Sequence, residues 1–321
     1  MGRGTWYTFG VRFCMLLLIA GCSDYDVTRS QVSDTFTQAD ASGGVDILWV
    51  MDNSGTMYEE QASLDEHAEA FVTILATYSV DFHLGVIDTD MTDDAPGTLL
   101  GGALSADAGD LLDGFRGAIE EAGVDGSRDE RGFDAAIAGA DPAGANTDFA
   151  RADAALEVIF YADEDDHSTA SVDETIGLLQ SNRAGESVTI NTVVGDLPSG
   201  CFSQAAAADP GVRYIDAQTA TEGMAASICT ADLDALLSRL ALHALGLEDT
   251  FKLSAIPLVK TMTVQVDGAA VWPRERNGWH YDPAANTVVF DGFAVPPPGA
   301  GIEIRYFDWV NGAVSDTGTG G

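Results

Sequence analysis

Asp52-Asn53-Ser54-Gly55-Thr56 places a carboxylate and two hydroxyls directly after a nearly continuous apolar run, Val45 to Met51 (VDILWVM). Such a run is expected for a strand buried on both faces. A tight turn at its end would point Asp52, Ser54 and Thr56 at a common point. Hard oxygen donors of this kind suit magnesium, calcium or manganese. Few negative charges around the ion leave it electrophilic, able to take a partner's carboxylate as its last ligand. The same residues have a plainer use, because Asp52 and Ser54 can cap a helix that begins near Met57.

The string reads DxSxT and resembles the metal-ion-dependent adhesion site of the von Willebrand factor A family, whose usual pattern is DxSxS. The resemblance covers about residues 34–246 and rests on the order of motifs along the chain. It implies two further ligands from distant loops. The family's second motif is a threonine before a helix with a glycine five residues on. Ser127 stands at that offset from Gly132, ahead of Phe133 and an alanine-rich segment. Serine keeps the hydroxyl but loses the methyl that fixes its rotamer. The third motif is an aspartate closing a later buried strand, and Leu156 to Tyr161 (LEVIFY) runs into Ala162-Asp163. The implied metal set is therefore Asp52, Ser54, Thr56, Ser127 and Asp163, with a divalent cation (Mg2+, Ca2+ or Mn2+) as cofactor. The chain also resembles A-domain lipoproteins whose third motif expands to Ser-Asp-Glu-Asp-Asp. Asp163-Glu164-Asp165-Asp166 matches, with Ala162 replacing the serine. Asp165 and Asp166 are expected in a solvated acidic loop, with outer ligands or a second cation site as the alternative.

Rival chemistries find less support. Asp88-Thr89-Asp90-Met91-Thr92 fits the DxDxT nucleophile motif of haloacid-dehalogenase-like phosphatases. Such an enzyme also wants a lysine to hold the phosphoryl group, and Lys252 and Lys260 both lie in the C-terminal region. Thr89 and Asp90 are expected at the rim of the metal face instead. Asp163 with Glu174 twelfth mimics a calcium-binding EF-hand loop, but Ser168 replaces the required glycine and a strand precedes it. There is no GxSxG and no HExxH. No catalytic residue is assigned, and the chain is not expected to be an enzyme.

Positioning these residues takes strands that alternate with helices. Leu64, Ala68, Phe71 and Leu75 fall on one helical face after the DxSxT turn. Phe82 to Ile87 is a second strand, and the stretch from Gly97 is read as a short edge strand. Helices follow near 108–122 and 128–140, then the LEVIFY strand, a helix over about 171–182, and Val188 to Val194. Val212 to Ile215 reads as a weaker strand, and a helix from Asp232 closes the unit. The pattern implies an α/β fold, a doubly wound and mostly parallel sheet, with ligands at the carboxyl ends of its strands. From about Thr250 strand-like runs recur between Asp267-Gly268, Asn277-Gly278 and Pro296-Pro297-Pro298-Gly299, reading as a small all-β domain. The expected division is a leader over 1–21, a tether over 22–43, the metal-binding unit over 44–248, a β-sandwich-like unit over 249–310, and a disordered tail over 311–321. Within the tether, Thr35 to Gln38 is expected to touch the domain as an extra strand.

Arg3, Arg12 and the apolar run from Phe13 to Ala20, followed by Gly21-Cys22, form a secretory signal ending in a lipobox. Cys22 is the expected acylated N-terminus, an extracytoplasmic lipid anchor and the chain's one attachment to a bacterial membrane. The formal net charge is −36, and losing Arg3 and Arg12 with the leader takes it to −38. Such a surface repels nucleic acid and anionic headgroups. Cys201 and Cys229 remain, and in an oxidising compartment they are expected to pair. That bridge is expected to stabilise the fold by roughly 3–4 kcal/mol. The reading that follows is a lipid-anchored adhesion or binding protein that engages an acidic residue of a protein partner through its metal. A structural or envelope-assembly role, in which the metal only stabilises the fold, is the runner-up.

Overall fold

A computed structural model describes residues 1–2, 31–40, 43–78, 80–92, 95–107, 109–203 and 206–308. The leader from Arg3 onward, Cys22 and the expected tail lie outside the described residues. In chain order the strands are β1 (Gln31–Thr37), β2 (Val45–Met51), β3 (Phe82–Asp88), β4 (Leu104–Ser105), β5 (Ala155–Tyr161), β6 (Val188–Val194), β7 (Cys201–Phe202), β8 (Ala207–Ala208), β9 (Ala225–Ser227), β10 (Thr250–Lys252), β11 (Thr263–Val266), β12 (Ala269–Val271), β13 (Trp279–Asp282), β14 (Thr287–Phe290) and β15 (Gly301–Phe307). The α-helices are α1 (Tyr58–Thr77), α2 (Leu111–Ala122), α3 (Gly132–Gly139), α4 (Val172–Ser181), α5 (Val212–Ala220) and α6 (Leu233–Ala244).

The main sheet has the order β4-β3-β2-β5-β6-β9, parallel except for the edge strand β4. β2 is buried from end to end, so its alternating side chains feed two cores. Ile47, Trp49 and Met51 face α1, α2 and α6, where Trp49 meets Phe71 edge-on at 5.2 Å. Leu48 and Val50 face α3, α4 and α5, where Phe160 packs on Tyr214 at 4.6 Å. Leu64, Ala68, Phe71 and Leu75 of α1 are all fully buried, as their spacing requires. Helices on both faces make this the doubly wound α/β sheet expected from the sequence. The chain runs from β2 to β3 on one side, then crosses to β5 on the other, so the sheet changes direction at β2. Crevices at such a point receive ligands.

Two local expectations are corrected. Val212 to Ile215 opens the helix α5 rather than a strand. Its buried residues, Tyr214 and Ala217, are three apart, a spacing that shares a face on a helix and splits across a strand. The sixth strand is β9 instead. The stretch from Gly97 is not the edge strand, because Gly97, Gly101 and Gly102 take φ of 72°, 66° and 81°. Those values interrupt extended backbone. The edge strand is β4, just beyond them.

The C-terminal strands form two small antiparallel sheets, β1-β15-β11-β12 and β10-β14-β13. Residues 31–37, expected within a tether, pair with β15 along their whole length, from Gln31 opposite Phe307 to Thr37 opposite Gly301. Val32, Asp34 and Phe36 alternate inward. Asp34 disguises the apolar pattern, but it accepts from Ser254 N at 3.0 Å and from the Tyr306 hydroxyl at 2.7 Å. Phe36, Phe251 and Phe290 join the two sheets, with ring centroids 5.3 and 5.6 Å apart. This core continues into α1 and α6, and Tyr78 at the end of α1 donates to Val295 O at 3.0 Å. Among the described residues no helix is long and apolar enough to cross a membrane.

The sheet also buries an acid far from any loop. Glu157 of β5 is 7% exposed, and its Oε2 accepts from Asn191 Nδ2 at 2.7 Å. Burial pushes its carboxyl from the ordinary 4.5 up to about 7. The folded chain therefore holds this proton where the unfolded chain has released it, so stability falls as pH rises from about 4.5 to about 7 and stays lower above. Glu157→Gln keeps an acceptor for Asn191 and removes that loss. The variant is expected to match the parent near pH 4.5 and to exceed it by roughly 2–3 kcal/mol at pH 8. Urea midpoints at the two pH values check this; a gap that does not change with pH would overturn it.

Candidate metal centre

Parallel register brings the predicted residues to one edge of the sheet. Met51 lies opposite Tyr161 on one side and Asp88 on the other, so Asp52, Asp163 and Thr89 emerge together at the carboxyl ends of β2, β5 and β3. Asp52 N donates to Tyr161 O at 3.0 Å, and Thr89 N to Met51 O at 3.1 Å. The turn after β2 is held by Ser54 N donating to Asp52 Oδ1 at 2.8 Å. Gln61 of α1 donates to Asp52 O at 2.9 Å. Ser54 Oγ and Thr56 Oγ1 lie 2.8 Å apart. Ser54 makes no side-chain cap to the short 3-10 turn over Gly55–Met57, and α1 has no side-chain cap either. The capping reading accounts for one oxygen of Asp52 and not for the other.

That second oxygen defines the site. Asp52 is fully buried, Asp163 is 4% exposed, and among the described residues no N–H or hydroxyl donor pairs with Asp52 Oδ2 or Asp163 Oδ1. The two carboxyls face each other within hydrogen-bonding reach, and the Thr56 hydroxyl adjoins Asp163. Burial first, and then the neighbouring charge, raises both well above the ordinary carboxylate range. Two buried acids in this relation need either a shared proton or a cation between them. Two carboxylates with two adjacent hydroxyls are a hard-oxygen donor set that suits a divalent ion. Among the described residues no three Asp, Glu, His or Cys side chains already close around one point.

Ser127 lies on the loop tied to the DxSxT turn, where Gly126 N donates to Asn53 O at 2.9 Å. Its N–H donates to Asp90 Oδ2 at 2.9 Å, and its hydroxyl accepts from Asp129 N at 3.0 Å. From this loop the side chain that bears on Asp52 is Glu130, which is fully buried. Glu130 Oε2 accepts from the Thr89 hydroxyl, and among the described residues nothing donates to Oε1. Burial pushes this carboxyl up to about 7. Sequence reading missed Glu130 because the family offset pointed to Ser127. The glycine at that offset does have a local reason: a Cβ on Gly132 would sit 2.4 Å from the Tyr214 hydroxyl. Gly126 has another, since its Cβ would meet Asn53 Oδ1 at 2.1 Å where the loop presses on the DxSxT turn.

No family model and no curated protein matches the chain. Solved structures do resemble it. The pilus adhesin SpaC from Lactobacillus rhamnosus GG, in its open conformation, is 13% identical with a TM-score of 0.46, over 86% of this chain and 40% of that one. Proximal thread matrix protein 1 from the mussel byssus, with a zinc-occupied MIDAS motif, is 14% identical with a TM-score of 0.40, over 67% and 48%. The pilus adhesin RrgA from Streptococcus pneumoniae is 10% identical with a TM-score of 0.35, over 86% and 58%. The chain thus spans about two fifths of the SpaC adhesin's length. Similarity this low carries no information about activity.

The surroundings of the site are densely hydrogen-bonded. Asp90 organises the Ser127 loop, its Oδ1 accepting from Thr92 N at 2.8 Å and Thr92 Oγ1 at 2.6 Å. The acidic string after Asp163, expected as a solvated loop, is largely structural. Asp166 is 2% exposed, accepts from Phe133 N at 3.1 Å and from Ser168 Oγ at 2.7 Å, and pairs with Arg213 at 2.8 Å. Asp165 Oδ1 accepts from Arg213 N at 2.9 Å. On the other flank Asp209 N donates to Asp163 O at 2.8 Å. Ala207 N donates to the buried Glu60 at 3.0 Å. This flank carries the Cys201–Cys229 disulfide, the pairing read from the sequence.

Proposed function

We propose that the chain is an extracytoplasmic binding protein of the von Willebrand A type, held to a bacterial membrane by lipid at Cys22, whose metal centre captures an acidic side chain of a protein partner. The observation that carries the reading is the pair of buried, unpartnered oxygens, Asp52 Oδ2 and Asp163 Oδ1, beside the hydroxyls of Ser54 and Thr56 at the sheet's change of direction. Asp52, Ser54 and Asp163 would hold the ion, with Thr56 beside them. A bound divalent ion supplies a positive charge that a partner carboxylate can meet. The chain's own residues do the positioning. Ser54 N fixes one Asp52 oxygen so that the other faces the site, and Gln61 locks the turn to α1. The order of motifs along the sequence supports the same family, and the acidic surface supports a partner other than nucleic acid or anionic lipid.

Calorimetric titration of Mg2+, Ca2+ and Mn2+ into the soluble form tests the centre. One ion per chain is expected for the parent, with no binding by Asp52→Ala. Capture of a partner that chelator reverses is the expected sequel. Capture that is indifferent to chelator would assign the metal a structural role only. Equal metal binding by parent and Asp52→Ala would remove the centre altogether.

A further inference from the structure

At the end of the β sheets remote from the metal centre, residues 255–260 (AIPLVK) turn aliphatic side chains to solvent. Ile256 is 63% exposed and Val259 50%. The backbone that presents them is held on both sides. Leu258 N donates to Phe307 O at 2.7 Å, Thr261 N to Leu258 O at 2.8 Å, and Ser254 N to Asp34 Oδ2 at 3.0 Å. We infer that this loop is a seat on the membrane. Ile256 and Val259 enter the outermost layer of a phospholipid bilayer, and Lys260 meets the headgroup phosphates. The inference rests on the lipid at Cys22 proposed above and gives the folded chain a second contact with the same membrane.

Position is the first argument. Phe307, whose carbonyl holds Leu258, lies opposite Gln31, so the loop adjoins the point where the chain enters β1. Residues 23–30 separate Gln31 from Cys22, and even fully extended they reach about 30 Å. At the other end of β1, Gln38 donates to Glu248 O at 2.8 Å and to Pro296 O at 3.0 Å, where the β sheets meet the end of α6. β2 then runs from Val45 up to the metal centre, so a seated molecule turns that centre away from the bilayer. Charge is the second argument. Thr250 to Val266 contains no Asp or Glu and holds both lysines, Lys252 and Lys260, in a chain with 51 acidic residues. Of the acids beside the loop, Asp34 is engaged by Ser254 and the Tyr306 hydroxyl, and Asp308 is half-buried opposite Pro257. Charges more than about 8 Å away are largely screened at physiological salt, so this end behaves by its own residues rather than by the chain's total. Two aliphatic side chains next to a lysine suit the bilayer interface, where the apolar groups sink and the ammonium stays among the phosphates.

The test uses the full lipidated chain in vesicles of phosphatidylethanolamine and phosphatidylcholine that carry a diazirine-bearing phospholipid. After irradiation, lipid adducts are mapped by mass spectrometry. They are expected on residues 255–260 and not on Tyr58, which is 66% exposed just after the DxSxT turn. Ile256→Ser combined with Val259→Ser is expected to lower the adduct yield on the loop by at least about tenfold, since burying one such side chain is worth about that factor. The share of the chain that floats with the vesicles is expected to stay the same, because the anchor is untouched. A floating chain with no adducts on the loop, or with equal yields there and on Tyr58, would overturn the seat and leave the anchor standing. Parent dimers in detergent that the double variant loses, with no lipid adducts on the loop, would assign it to a second copy instead. A chain that does not float would overturn the anchor and the seat together.

Discussion

Asp46→Asn is expected to lower the unfolding free energy by about 3–5 kcal/mol, a large part of the stability of an ordinary domain. Asp46 is the second residue of β2 and fully buried at the end of the sheet opposite the metal site. Its carboxylate accepts from Arg151 N at 2.7 Å, Arg151 Nε at 2.8 Å and Arg183 Nη1 at 3.1 Å. The side chains of Asp46 and Arg183 are both inaccessible to solvent. Taking away the charge of Asp46 leaves the Arg183 guanidinium buried without a counter-ion, and the protein loses far more than one hydrogen bond. The asymmetry supplies a control. Asp46→Leu combined with Arg183→Met removes both charges, and such paired replacements are often close to neutral. Urea unfolding is the measurement, with a lower midpoint and an unchanged slope for the single variant and substantial recovery in the double one. A single variant within about 1 kcal/mol of the parent would show that water reaches Arg183.

Asp46 also shows what can be read from a sequence and what cannot. A lone aspartate inside VDILWVM is a visible sign that a cation must be buried nearby, but nothing in the string says that Arg151 and Arg183 supply it. The proximity of Asp52 and Asp163 was legible for a simple reason. Both follow buried strands directly, and parallel neighbours end at the same level, so backbone register alone brings them together. Ser127 and Glu130 sit on a loop between elements, where register gives no guidance and the rotation of a few peptides decides which side chain turns inward. The same limit hid β1. One aspartate on its inner face broke the apolar alternation, and only the distant Ser254 and Tyr306 explain why that aspartate is tolerated. At Val212 to Ile215 local β-propensity pointed one way and the packing of Tyr214 against Phe133 and Phe160 decided otherwise.

The second large effect follows from the same balance of buried charge, and its sign depends on the ion. In chelated solution at pH 8, Asp52→Asn is expected to stabilise the protein by about 1–3 kcal/mol. It removes the buried carboxyl that adjoins both Asp163 and Glu130 and adds an amide that can donate toward either. With calcium at a hundred times its dissociation constant the parent gains about 2.7 kcal/mol, because only the folded state binds, whereas the variant gains little. The order of the two unfolding temperatures is therefore expected to reverse between chelator and calcium. No reading of Asp52 as a turn-forming or capping residue produces that reversal. An asparagine accepts the Ser54 N–H as well as an aspartate does, so the pair would then keep the same order in both buffers. Thermal unfolding of parent and variant, each with chelator and with calcium, decides between a side chain that shapes the turn and one placed there to meet a cation.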